Sequence, residues 1–472
     1  MLIAQIDQTR REFSPTLDEA RRSELGQYMT PAPIAEFMST MFGEMPDHVQ
    51  LLDAGAGMGA LSAAFINEAC NRKRKPRTID VTAFEIWPDL ADLLEVHMAA
   101  AAKAADAAGV HVTFRVLRDD YILASAEPMF SADLRFTHAI LNPPYGKLGT
   151  GSTWRAALRT LGIETVNFYS GFCGAAMTQM ETGGEMVAIT PRSFCNGPYY
   201  QPFRQMMLED FGLERLHVFE SRRTAFKDDA VLQENIIFKI TRGATQGNVI
   251  LTTDEGYVRS APSDEIVRPD DKSSFIRLPV GEDKLAASIQ ALPSSLSDIG
   301  VQVSTGRVVD FRAREHLRAD PGADTVPLIY PQHMKAGAVV WPIEGFKKSN
   351  ALADCPETEK LISAAGTYVL AKRFSAKEEK RRVVAAIYSG PRVGLENHLN
   401  YFHEKLAGLP DDLAAGLCAY LNSEAVDVFF RTFSGHTQVN ATDLRGLRYP
   451  TREQLIAIGR AKDPQEALAA IL

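Results

Sequence analysis

Apolar residues in the first half of the chain fall into strand-length runs, and longer segments of helical period stand between them. "VQLLDA", "TIDVTAFEI", "VTFRVL", "FTHAIL", "GEMVAITP" and "LERLHVF" are the runs. Segments such as "PDLADLLEVHMAAAAKAADAA" repeat their apolar positions every three to four residues and predict helices. Strands alternating with helices at this spacing predict an α/β fold, a mostly parallel Rossmann-like sheet covered on both faces. A last strand pair is suggested by "AVLQENIIFKITRG". The first domain is therefore placed at 1–245. Short β-like pieces broken by Gly, Pro and Asp make 246–285 a connecting extension, and a mixed α/β texture runs over 286–472. Before the first strand, Thr30 and Pro31 read as an N-cap followed by proline at the first helical position.

Composition narrows the class. A chain of 472 residues, 45% hydrophobic and 23% charged, can bury more than one core. No run approaches the roughly twenty apolar residues that span a bilayer, and "MLIAQIDQTRREF" lacks a secretory apolar stretch. A cytoplasmic protein without a membrane partner is expected. Five scattered cysteines without a Cys-x-x-Cys pair argue against a disulfide frame or a zinc site. His398 and His403 lack further ligands at metal-binding spacing and read as structural, so no metal is expected. The net charge of −8 argues against bulk polyanion binding but leaves local basic clusters. These are "NRKRKPR" at 71–77, read as a solvated face, the arginines of "TGRVVDFRAREHLR", and "AKRFSAKEEKRR" at 371–382.

Candidate chemistry lies at the strand ends. "LLDAGAGMGAL" sets Asp53 at the end of a strand and Gly55, Gly57 and Gly59 in the turn before a helix, where backbone amides can face a ligand. Glu85 ends the next strand, where a carboxylate can accept both hydroxyls of a ribose. Asp120 follows the third and can accept from an adenine amine beside the Tyr121 ring. Three acids at successive strand ends of one parallel sheet converge on the crevice where such sheets bind ligands. An adenosine-containing cofactor is expected there. Asn142 follows "THAIL" at the same edge, and Pro143 and Pro144 fix the backbone behind it. The lone pair of an exocyclic base amine is conjugated with the ring. The Asn142 amide oxygen and the Pro143 carbonyl could each accept one N–H and favour a pyramidal nitrogen able to attack a methyl sulfonium. Tyr145 offers a ring face for a planar base.

These pieces stand in a known order. "GQYMTP" at 26–31, "DAGAGMG" at 53–59, Glu85, "DY" at 120–121 and "NPPY" at 142–145 resemble the gamma class of type II N6-adenine DNA methyltransferases, which use S-adenosylmethionine. The resemblance implies that Tyr28, Thr30 and Pro31 lie near the methionine end of the cofactor and that Asp53, Ala54, Gly55 and Gly57 line it. It implies further that Glu85 holds the ribose, that Asp120 with Tyr121 holds the adenine, and that Asn142 also borders the cofactor. An enzyme acting on such an amine in double-stranded DNA must flip the adenine out of the stack. Tyr145 is one clamp for the flipped base. In similar enzymes a second aromatic follows the strand corresponding to "MVAITP", and spacing within "PRSFCNGPYYQPFR" selects Tyr200.

The C-terminal half reads as a target-recognition domain, because "HTQVNATDLRGLRYP" is similar to the ends of related adenine methyltransferases. Amides suit adenine edges and basic side chains suit phosphate. The DNA-contact candidates are Lys372, Arg373, Arg381, Arg382, Asn397, Asn400, Gln438 and Asn440, with a helix-capping role equally open for Asn440. No segment is left over for a nuclease, so a cognate restriction endonuclease would be a separate protein. The alternative reading is an N-methyltransferase for a protein glutamine amide or an RNA base. The long C-terminal half argues against it.

Overall fold

The computed structural model describes residues 2–13, 29–128, 134–219, 235–279, 284–374, 381–433 and 438–472. The chain divides into two compact units, Met1–Val280 and Gly281–Leu472.

The first unit opens with helices α1 (Leu2–Phe13) and α2 (Ala32–Thr40). The predicted alternation follows as β1 (His48–Ala54), α3 (Ala60–Asn71), β2 (Thr78–Phe84), α4 (Pro88–Ala107), β3 (His111–Leu117), α5 (Tyr121–Ala126) and β4 (Phe136–Leu141). Then come α6 (Thr153–Thr160), α7 (Phe168–Gln179), β5 (Met180–Pro191), α8 (Gln201–Asp210), β6 (Phe211–Val218), β7 (Asn235–Arg242), β8 (Val249–Thr253) and β9 (Val258–Ala261). Among the described residues these strands form one nine-stranded sheet in the order β3-β2-β1-β4-β5-β7-β6-β8-β9. Neighbours from β3 to β5 are parallel, while β7 runs antiparallel between β5 and β6. The segment that follows residue 245 thus adds β8 and β9 to the sheet edge.

Side chains alternate across the sheet, as a strand covered on both faces requires. In β1, Leu52 and Ala54 join one apolar cluster with α5 and α7, whereas Val49 and Leu51 join the other with α1 to α4. Strand pairing is uneven at the middle. β1 pairs with β2 along its whole length from His48 to Ala54, but with β4 only at Leu51 and Leu52. His138 of β4 is buried against Phe42 and Phe65, each ring 5.4 Å away, and these two rings also meet edge-on. Burial, helped by the Arg72 and Lys239 charges, pushes its pKa down to about 3.

The second unit holds a six-stranded and a five-stranded sheet among its described residues. The longest pairing joins Gly366–Lys372 with Ala385–Gly390. Helices Asp411–Leu421 and Arg452–Arg460 cross in close contact through Gly416 and Gly459. A Cβ at either glycine would overlap the facing backbone carbonyl, that of Leu455 or Asp412. Among the described residues, no single helix is long and apolar enough to cross a membrane.

Candidate active site

The C-terminal ends of β1 to β4 border a cleft of about 1030 Å³, counted out to its mouth. Its floor is the turn after β1, where Gly55 and Gly57 take left-handed backbone angles, φ 77° and 57°. A Cβ on Gly57 would meet nothing of the protein within 4 Å, so glycine there keeps cleft space free of side chain.

Glu85 is the best-placed acid. Its Oε2 accepts from the Gly57 amide and its Oε1 from the Trp87 amide, both at 2.9 Å. Burial raises its pKa, and backbone bonds from Trp87, Gly57 and Ile86 act against that rise. A carboxylate offers about four lone-pair sites, so these bonds leave accepting capacity for a ligand hydroxyl. Asp120 caps α5, accepting from the Leu123 amide at 3.0 Å, and its other oxygen accepts from Trp154 Nε1 at 2.7 Å. Tyr121 lies edge-on to Phe84 and donates its hydroxyl to Gln179 Oε1 at 2.8 Å. Glu85, Asp120 and Tyr121 all line the cleft.

Asp53 and Ala54 are placed differently from expectation. Neither lines the cleft; both are fully buried, and Asp53 Oδ2 accepts from the amide and hydroxyl of Ser62 at 3.2 and 2.6 Å. Asp53 thus ties the end of β1 to the start of α3 from behind the turn. Burial pushes its pKa up to about 7, with the Ser62 bonds opposing and the Glu85 charge adding to the rise.

Asn142 stands just past β4 and lines the cleft. Its Nδ2 donates to Thr30 Oγ1 at 2.9 Å, and its Oδ1 accepts from the Tyr145 hydroxyl at 3.2 Å. Thr30 is therefore not the helix cap expected of it. Pro31, which has no polar side-chain atom, occupies the cap position of α2, and the Thr30 hydroxyl is turned to Asn142. Thr30 and Pro144 line the cleft, whereas Pro31 and Pro143 do not. Tyr28 lies outside the described residues.

Tyr145 is buried rather than open. It packs edge-on to Tyr169 at 6.4 Å, and Tyr169 stacks on Tyr200 at 5.6 Å and 27°. The Tyr200 hydroxyl donates to Asn167 Oδ1 at 2.8 Å. The structure thus joins Tyr145 and Tyr200 through an aromatic row, but turns both inward. The neighbouring Tyr199 is 73% exposed.

Sequence reasoning missed one wall. Ile6 and Arg10 of α1 line the cleft, and Asp7 links this helix to the start of α2 by accepting from both Arg10 Nε (2.9 Å) and the Ala32 amide (3.2 Å). The signal was available: Ile3, Ile6 and Arg10, the buried positions, lie at i, i+3 and i+7 on one helix face. Phe172 of α7 is a second missed wall residue.

In the second unit the DNA-contact candidates separate by burial. Arg382 and Asn400 are interior, Asn400 donating to the Val439 carbonyl at 2.6 Å and accepting from Thr305. Asn440 caps the helix Ala441–Arg445, with its amide donating to Asp443 Oδ2 at 2.8 Å. Lys372, Arg373, Arg381, Asn397 and Gln438 are partly exposed. His403 is buried and bonded to Ser304 at 2.9 Å.

A sheet of this order, with an antiparallel β7 beside β5, a glycine turn after β1 and acids at the next two strand ends, defines the class. It is the fold of S-adenosylmethionine-dependent methyltransferases. The chain is 44% identical over 475 residues to the type II methyltransferase M.PstI of Providencia stuartii, covering 97% of this chain and 93% of that protein. It is 41% identical over 481 residues to the type II methyltransferase M.BsuBI of Bacillus subtilis, covering 97% and 94%. The chain belongs to the type II methyltransferases. No family model matches it. Among solved structures, the type IIL restriction-modification enzyme MmeI in complex with DNA superposes with a TM-score of 0.57 at 11% identity, over 94% of this chain and 71% of that one. The DrdV–DNA complex superposes with a TM-score of 0.53 at 13% identity, over 97% and 59%. At these identities the two share the fold.

Proposed function

We propose that the protein transfers a methyl group from S-adenosylmethionine to the N6 amine of an adenine flipped out of double-stranded DNA, as the modification component of a restriction-modification system. The observation that carries this reading is the Asn142 amide, held between Thr30 and Tyr145 at the cleft that Glu85, Asp120 and Tyr121 also line. Glu85 supplies a carboxylate for ribose hydroxyls, and Asp120 with Tyr121 borders the space for an adenine. The open position at Gly57 and the remaining accepting capacity of Glu85 fit such a cofactor. When bound, the cofactor supplies an electrophilic methyl group on sulfur.

The chain's own part is to prepare the amine. Asn142 Oδ1 and the Pro143 carbonyl accept its two N–H groups, which withdraws the lone pair from the ring and aims it. Tyr145 and Tyr200 frame the base from the aromatic row, Tyr200 after release from Asn167. Similarity to type II methyltransferases along nearly the whole chain supports DNA over a glutamine amide or an RNA base as the acceptor. Nuclease activity, where coupled, is assigned to a separate endonuclease acting on the same site.

The test is modification-sensitive long-read sequencing of DNA from cells that express the protein. N6-methyladenine at one short motif is expected. Methylation of cytosine, or unmodified DNA beside transfer to RNA or protein, would overturn the reading.

A further inference from the structure

The most exposed large apolar side chain among the described residues is Phe311, at 76%. It stands at the tip of a tight turn in the second unit, within the arginine cluster 305–318 that the catalytic reading leaves unused. The turn is rigid at its base. The Val309 carbonyl accepts from the Arg312 and Ala313 amides at 2.9 and 3.0 Å, and Val308 and Ala313 are buried with Leu328, Tyr330 and Leu352. Asp310 is held by the Tyr330 hydroxyl at 2.9 Å and by Lys348 at 3.2 Å. The one acid beside Phe311 is thereby engaged from below.

The tip itself is basic. Arg312 lies with its guanidinium 5.4 Å from the Phe311 ring centre, and Arg312 and Arg314 are both exposed. Neither forms an ion pair among the described residues, although exposed Glu315 follows them in sequence. Backbone bonds carry the same edge onward. The Asn397 amide donates to the Val308 carbonyl, the Arg373 amide donates to the His398 carbonyl, and Phe374 pairs with Gln438. Phe374 is a second exposed phenylalanine, with Arg373 5.9 Å from its ring. Two solvent-facing rings, each beside an arginine, thus share an edge with Arg373, Asn397 and Gln438.

An exposed ring on a rigid turn gains nothing from water, and unpaired arginines favour a polyanion. Apolar wedges flanked by arginine are a recurrent way to enter the minor groove and part a base step. We infer that this edge docks duplex DNA, with Phe311 pressed into a base step and Arg312 and Arg314 on the flanking phosphates. The inference rests on duplex DNA being the substrate, and it goes further in naming the element that grips it.

The test compares full-length wild type with Phe311→Ala, Phe311→Trp and Arg312→Gln/Arg314→Gln on target duplex at several salt concentrations. Cofactor binding is measured alongside to confirm folding. Phe311→Ala is expected to weaken duplex binding ~10–100-fold, in line with the loss of one aromatic–base contact, and Phe311→Trp to retain it. The double arginine variant is expected to flatten the slope of log affinity against log salt by about 2. Variants that bind cofactor normally and keep wild-type duplex affinity and slope would overturn the inference, as would a change confined to self-association. Failure of wild type to bind or methylate duplex DNA would instead remove the functional reading beneath it.

Discussion

Polar side chains that the fold itself bonds are placed differently in parts of the two units. In the first, Glu85, Asp120 and Asn142 sit at strand ends, and each is bonded by its own fold while still facing the cleft. In the second, Asn350, Asn400 and Asp443 turn inward, bonding Ile343, Val439 and the Asn440 amide, and so hold short irregular strands and a helix end together. A parallel sheet needs no polar side chains to close its ladders, so its edge is free for a ligand. The short strands of the second unit consume theirs, and Phe311, Arg312 and Arg314 of one surface turn stay exposed.

That contrast can be broken experimentally. The largest effect is expected at Asn142. Asn142→Ala should lower methyl transfer by at least ~100-fold, the scale for loss of a pre-set polar group aimed at the reacting centre, with cofactor affinity by calorimetry near wild type. Equal losses in both would make Asn142 a binding residue only. Next, Glu85→Ala should weaken cofactor binding about 10- to 100-fold, as expected for hydrogen bonds to a charged group, while duplex affinity in the absence of cofactor stays unchanged. Asn400→Ala, in contrast, should act on the second unit's stability, and unchanged thermal unfolding would show that its amide is not structural.

Asp53 sharpens the comparison through pH. Its folded pKa, raised from 3.8 to about 7, means that the folded protein holds a proton the unfolded chain has released. This contribution to stability is complete below about 4 and is lost as pH rises to about 7. Asp53→Asn should flatten the fall in stability across that window in denaturant titrations, and a parallel profile would disprove the linkage. The smallest effect is expected for Tyr200→Phe, which removes one hydrogen bond to Asn167 worth about 1 kcal/mol. Tyr200→Ala should in addition weaken the fluorescence change of 2-aminopurine at the target position. An unchanged signal would exclude Tyr200 from the base pocket.

The strands, the glycine turn and the placing of Glu85, Asp120 and Asn142 at one edge were legible because periodicity and connection rules act locally and then repeat. Thr30 was not, since the same residue type caps helices and bonds amides, and only the return of the chain at β4 decides between them. Arg382 and Asn400 were chosen by chemical type, which carries no information on burial. Ile6 and Arg10 escaped because the helices they pack against, Ala32–Thr40, Ala60–Asn71 and Pro88–Ala107, are brought to them only by the fold. Local pattern places an element, and only packing says which of its faces a cleft will use.

The hydrogen bond between Thr30 and Asn142 bears on how such a site can change over time. It joins a residue just before α2 to one just past β4, 112 positions apart along the chain. A substitution at either one withdraws a partner from the other. The two positions are therefore expected to share a history, a change at one being answered at the other.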